Sequence, residues 1–97
     1  MWKVLLSDTA VRQFRALPKA RQASVKQRIR LHLQENDPGE ETRNKFRLRR
    51  PSPQAEYELR LGDLRVFYRI RDETVEVVLI GVKRGNQVVI GGEEFEI

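Results

Sequence analysis

The sequence predicts an α+β fold: an N-terminal strand and a two-helix hairpin packed on a mostly antiparallel four-stranded sheet. Three observations carry this. Apolar residues recur at helical spacing between Thr9 and Glu35. After about residue 56 the pattern changes to alternation with a period of two. The stretch YELRLGDLRVFYRI, residues 57–70, then turns on Gly62-Asp63 as a two-residue hairpin.

The elements follow in order. WKVLL, residues 2–6, joins aromatic and branched residues in a short apolar run, as strands do. Ser7 or Asp8 can cap a helix that starts near Thr9. Ala10, Val11, Phe14 and Leu17 give that helix one apolar face, and Pro18 ends it or opens the next. Residues 19–35 form the second helix. Val25, Ile29 and Leu33 make its buried stripe, flanked by Lys19, Arg21, Lys26, Arg28 and Arg30. A second, uncharged ridge runs through Ala20, Ser24, Gln27 and Leu31. This ridge is expected to meet the first helix, and docking of a partner is the alternative.

ENDPGEET, residues 35–42, stops the helix with Asn-Asp-Pro-Gly signals. RNKFRLRRPSPQ, residues 43–54, reads as a basic loop with a brief extended piece around Phe46 and Leu48. Strands are expected over about 56–61, 64–71 and 74–83. The last, TVEVVLIGVKR, is apolar on both faces around Val77 to Val82, so it should be central. VVI, residues 88–90, can add a short strand. GGEEFEI reads as a flexible acidic tail over 91–97. No repeat and no second domain is evident, so residues 1–97 are expected to form one domain.

Composition narrows the function. Hydrophobic residues at 39% and charged residues at 34% read as a soluble, globular chain. No apolar run approaches the 18 or so residues of a membrane span. The absence of cysteine excludes disulfides and thiol catalysis, and fits a reducing cytoplasm. A single histidine, His32, makes a histidine-built metal site improbable, and its place at the edge of the buried stripe reads as packing. Net charge is +5, and it becomes +8 over residues 1–84 once Glu93, Glu94 and Glu96 of the tail are set aside. A basic body suits a polyanion or an acidic protein.

The hairpin points to a site. Pairing outward from Gly62-Asp63 sets Leu61 against Leu64, Leu59 against Val66 and Tyr57 against Tyr68 on one face. The other face then pairs Arg60 with Arg65 and Glu58 with Phe67. Like charges directly opposite destabilise a sheet pair by some tenths to about 1 kcal/mol. An anion held by both arginines would offset that cost. The next strand delivers Lys83 and Arg84 at its end. The basic loop offers Lys45, Arg47, Arg49 and Arg50, and Phe67 supplies an aromatic flank. These residues together describe a phosphate-backbone cradle. The alternative is that the two arginines splay apart and pair with Glu58, Glu56 or the tail acids.

The hairpin, followed by VEVVLIGVKR, resembles the RelE/ParE superfamily of bacterial toxins from type II toxin–antitoxin systems. The N-terminal strand, the helical hairpin and the Asp-Pro before the basic loop are similar as well. The resemblance covers the chain to about Arg84 and implies a RelE-like fold. It also implies one of two activities. RelE-like members are ribosome-dependent endoribonucleases that cut messenger RNA, while ParE-like members inhibit DNA gyrase without being nucleases. By position, the resemblance assigns catalytic roles to Arg60, Arg65 and Arg84, and the cradle described above gives Lys45, Arg47, Phe67 and Lys83 as substrate-binding residues. Two departures stand out: Glu58 occupies a position that is often basic, and Ile90 falls near an expected tyrosine. The RelE-like activity is the leading expectation, with gyrase inhibition or a non-cutting, DNA-binding corepressor as alternatives. The resemblance further implies a cognate antitoxin in a hetero-oligomer, ribosome and messenger RNA as partners, a cytoplasmic location, and no metal or other cofactor.

Overall fold

The computed structural model describes residues 2–49, 54–85, 87–90 and 93–96, the last two segments by their backbone. Strand β1 (Lys3–Leu6) leads into helix α1 (Asp8–Arg15) and helix α2 (Lys19–Ile29). The latter continues as a π-helical segment, Arg30–Glu35. Six more strands follow: β2 (Lys45–Arg47), β3 (Tyr57–Leu61), β4 (Leu64–Arg71), β5 (Thr74–Arg84), β6 (Gln87–Ile90) and β7 (Glu93–Glu96). The α+β architecture is the expected one, with a larger sheet. Seven strands run in the order β2-β3-β4-β5-β6-β7, with β1 parallel to β5 off that path. The 93–96 segment, read as a flexible tail, instead pairs antiparallel with β6. Main-chain pairing needs no side-chain alternation, so this strand left no pattern in the sequence.

Ser7 caps α1 as its residue type dictates: its side chain accepts from the Ala10 N–H at 3.0 Å. The same hydroxyl donates to the Val78 carbonyl at 2.8 Å. Gln13 accepts the Ile80 N–H at 2.7 Å. Side chains of the first helical region thus occupy the part of β5 between its pairing with β1 (residues 74–77) and with β6 (residues 82–84). That is how β5 becomes central without a full-length neighbour on this side.

The core lies between the helices and one sheet face. Ala10, Val25, Ile29 and Leu33 pack on Leu59, Leu61, Leu64, Val66, Tyr68, Val75, Val77 and Ile80. Val25, Ile29 and Leu33 are each spaced by four, as the buried stripe required. On a 3.6-residue turn a spacing of four drifts by about 40° per step. The wider π turn after Ile29 offsets that drift and returns Leu33 to the core, fully buried. The uncharged ridge does not meet α1: Ala20, Ser24, Gln27 and Leu31 are all exposed, Leu31 by 48%. The core needs only the one stripe, so the opposite side of α2 faces outward.

The hairpin register is the one expected, with Tyr57↔Tyr68, Glu58↔Phe67, Leu59↔Val66, Arg60↔Arg65 and Leu61↔Leu64. Gly62 has φ +65° while Asp63 stays out of the left-handed region, the φ pattern of a type II′ turn. The turn is tied down twice more. Arg21 of α2 pairs with the Asp63 carboxylate, and the Lys83 N–H donates to the Asp63 carbonyl at 2.7 Å. Between β4 and β5 a bulge falls opposite Phe67/Tyr68, so that Phe67 faces Leu79 and Tyr68 faces Val77. This one extra residue, Val78, inverts the faces of everything after it in β5.

Candidate nucleic-acid interface

The sheet face away from the helices carries, by strand alternation, Phe46 of β2, Glu58 and Arg60 of β3, Arg65, Phe67 and Arg69 of β4, and Leu79, Gly81 and Lys83 of β5. The opposing arginines are present as expected, and Glu58 decides what they do. Its carboxylate is 7% exposed and accepts from Arg60 Nε at 2.6 Å. The Arg65 Nε lies 3.8 Å from the same Oε2 atom. One buried carboxylate thus sits between the two guanidinium groups and offsets their repulsion.

Arg65 itself is not available to a phosphate. It is 5% exposed, and its Nη1 donates to the Gly62 carbonyl at 2.7 Å and the Leu64 carbonyl at 2.9 Å. Burial, and then the nearby Arg60 charge, lower its pKa. Its Nε is the one buried side-chain polar atom without a hydrogen bond among the described residues. The structure thus places Arg65, read from the sequence as a phosphate ligand, inside the sheet with main-chain partners. Burial favours internal partners for its donors, and its Nη1 finds them in the carbonyls of the hairpin turn.

Three further residues leave the expected cradle. Lys45 is 1% exposed, and its Nζ donates to the carbonyls of His32 and Asp37, both at 2.7 Å. It fastens the end of the π-helical segment to the sheet. Arg47 lies on the helical side, its guanidinium 5.6 Å from the Tyr57 ring centroid. Arg84 is exposed at the end of β5, but the bulge at Val78 gives it the parity of Val82, on the helical side of the sheet. The same inversion brings Lys83 to the face of Arg60. Arg60, Lys83 and Phe67 thus share the outer face, with Arg65 buried in it. Arg50 and the side chain of Ile90 lie outside the description.

Sequence reasoning overlooked Phe46. The Arg60 guanidinium centre is 4.7 Å from the Phe46 ring centroid. The available signal was an aromatic residue among bases in RNKFR. Farther along the same face, a groove of about 460 Å³ runs past Leu5, Thr9, Gln54, Leu79 and the Arg69–Glu76 ion pair at 2.8 Å. Among the described residues, no group of three or more His, Cys, Asp or Glu side chains is gathered to hold a metal ion. No described helix is long and apolar enough to cross a membrane.

A helical hairpin on one side of a mixed sheet is the RelE-like fold, and the family match makes the chain a type II toxin of the RelE/ParE superfamily. The chain matches the family model for the ParE toxin of the type II toxin–antitoxin system parDE over residues 4–87, and it belongs to that family. Its fold is similar to that of RelE in the archaeal RelE–RelB complex from Pyrococcus horikoshii OT3, with a TM-score of 0.66, 23% identity, and 87% of this chain and 96% of that chain covered. The toxin–antitoxin complex RelBE2 from Mycobacterium tuberculosis gives a TM-score of 0.66 and 26% identity, covering 84% of this chain and 98% of that chain. The isolated E. coli RelE toxin gives 0.61 and 20% identity, with 88% of each chain covered. No curated protein matches the chain.

Proposed function

We infer that this toxin arrests translation by engaging messenger RNA on the ribosome through the outer sheet face, and that it cuts the message slowly. One observation carries the reading: Arg60 and Lys83 share that face with Phe46 and Phe67, opposite the helices. Cations beside aromatic rings suit a single strand, whose backbone is anionic and whose bases have stacking faces. Cleavage by the RNA's own 2′-hydroxyl needs a base for that hydroxyl, charge neutralisation at the phosphate and an acid for the leaving 5′-oxygen. Lys83 is the cation placed to serve the phosphate and leaving oxygen. Arg65 adds charge from within the sheet, without contact. Glu58 is the nearest carboxylate, but its hydrogen bond to Arg60 occupies it, which makes it a poor base and the reaction slow.

Gyrase inhibition is the second reading. It is favoured by the match to the ParE model and by the dispersal of the expected catalytic arginines, Arg65 inward and Arg84 to the helical side. In either case a cognate antitoxin is the expected partner, since the structural neighbours include toxin–antitoxin complexes from Pyrococcus horikoshii OT3 and Mycobacterium tuberculosis. The exposed ridge Ala20–Ser24–Gln27–Leu31 offers it an uncharged helical surface. Purified protein added to ribosomes carrying a defined message, and in parallel to a gyrase supercoiling reaction, separates the two readings. Cut message with supercoiling intact supports the first, and inhibited supercoiling with uncut message replaces it with the second.

A further inference from the structure

Arg60 is held in a way that suits a nucleobase better than a phosphate. Its Nε is committed to Glu58 at 2.6 Å, and Glu58 is buried, so this anchor is fixed. One side of the guanidinium lies on the Phe46 ring at 4.7 Å. The side chain is nonetheless 44% exposed, and no described residue accepts a hydrogen bond from its two terminal nitrogens. What remains open is the planar edge formed by Nη1 and Nη2, oriented by a carboxylate on one side and a ring beneath. Glu58 also cancels much of the charge that an anionic ligand would seek. A pair of neutral, coplanar acceptors loses little by that cancellation.

Among the bases, guanine presents such a pair in O6 and N7. Adenine places an amino donor where O6 would be, and a donor cannot meet a guanidinium N–H. A guanine coplanar with Arg60 would also continue its plane alongside the Phe46 ring, as stacked recognition of unpaired bases does. We propose that Phe46, Glu58 and Arg60 form a guanine-reading element that binds the O6/N7 edge of an unpaired guanine. The inference deepens the messenger-RNA reading above and rests on it for the ligand's class. It gives that reading a base preference and moves Arg60 from the phosphate backbone to the base.

The test is a nuclear magnetic resonance titration of the full chain, following the Arg60 Nε–H signal, which the Glu58 bond slows in exchange. The probes are guanosine 5′-monophosphate, adenosine 5′-monophosphate, 7-deazaguanosine 5′-monophosphate and inorganic phosphate. A bidentate arginine–guanine pair corresponds to about 5- to 150-fold discrimination. The guanine nucleotide should therefore shift the signal at a concentration at least about fivefold below the adenine nucleotide. The preference should vanish with the 7-deaza probe. In Arg60→Lys, which keeps the charge and loses the fork, the backbone amide signal of residue 60 should respond alike to the guanine and adenine nucleotides. Equal shifts from all four probes would make Arg60 a phosphate ligand and overturn the proposal. So would a silent Arg60 signal at about 20 mM guanine nucleotide, a limit that still detects very weak binding. The titration contains no ribosome and no cleavage. A protein that never cuts RNA can pass it, and one that cuts RNA can fail it.

Discussion

Glu58 and Arg60, two residues apart on one face of β3, are joined by a 2.6 Å Nε–Oε2 contact, while Arg65 approaches the same oxygen from β4 at 3.8 Å. The carboxylate is the reason two arginines can occupy facing positions. Glu58→Gln keeps an acceptor for Arg60 and removes the charge beside Arg65. It is predicted to cost about 1–2 kcal/mol, less than the loss of a fully buried pair because Arg60 is partly exposed. A urea titration measures this, and an unchanged midpoint would show that the arginines do not depend on Glu58.

Arg65 fixes the hairpin turn. Arg65→Ala removes the donor to two main-chain carbonyls, Gly62 and Leu64. Hydrogen bonds from a charged group contribute about 1.5–3 kcal/mol, so a loss of about 2 kcal/mol is expected after relief from Arg60 is counted. Like-charge repulsion between the facing arginines would by itself give the opposite sign, with stability unchanged or slightly higher once Arg65 is removed. Chemical denaturation distinguishes the two, and a gain in stability would restore the phosphate-site role.

The hairpin was the most legible part of the chain. Gly62 at the first turn position and strict alternation on both sides determine all five pairs, and with them the face on which Arg60 lies. The faces of β2 and of the end of β5 were not legible. Three residues between loops carry no alternation, so nothing in RNKFR says that Phe46 faces outward while Lys45 and Arg47 face the helices. The bulge at Val78 lies within VVLIGV, where both faces are apolar and a one-residue slip leaves no trace. That slip exchanges Lys83 for Arg84. Lys45 misleads for another reason: lysine is rarely buried, and the carbonyls that hold it come from a helix end that sequence places only approximately.

Lys45→Met tests that anchor. The side chain fills similar space but offers no donor to the His32 and Asp37 carbonyls. A loss of about 2–4 kcal/mol is expected from two charge-assisted bonds in a buried setting. Hydrogen exchange should rise first in residues 30–37. Uniform change across the chain would place the lysine's contribution elsewhere.

His32 gives the fold a pH dependence. Its pKa lies below the ordinary value of 6.5, through burial first and then the charges of Lys45 and Arg28. The unfolded chain therefore binds the proton more readily than the folded one. Stability falls as pH drops below 6.5 and stops falling, for this group, once the folded value is passed. Comparing urea midpoints of the parent and His32→Gln between about pH 5 and 7.5 isolates the effect, because the carboxylates titrate alike in both. Parallel profiles would exclude it.

The ridge on α2 predicts where the antitoxin rests. Among the described residues, Leu31 and Leu5 are the exposed large apolar side chains, and Leu31→Asp should weaken antitoxin binding about tenfold or more, as loss of an anchoring contact does. The urea midpoint should hold within about 0.5 kcal/mol. Unchanged affinity, measured by calorimetry, would move the antitoxin to another surface.

The central claim is that the outer sheet face acts on messenger RNA. The direct measurement is the mapping of RNA 5′ ends across the transcriptome within minutes of inducing the toxin without its antitoxin, in cells whose DNA integrity is followed in parallel. The account predicts new 5′ ends confined to translated messages, enriched next to guanine, with DNA intact. Double-strand breaks and filamentous growth with unbroken messages would contradict it and assign the toxin to gyrase.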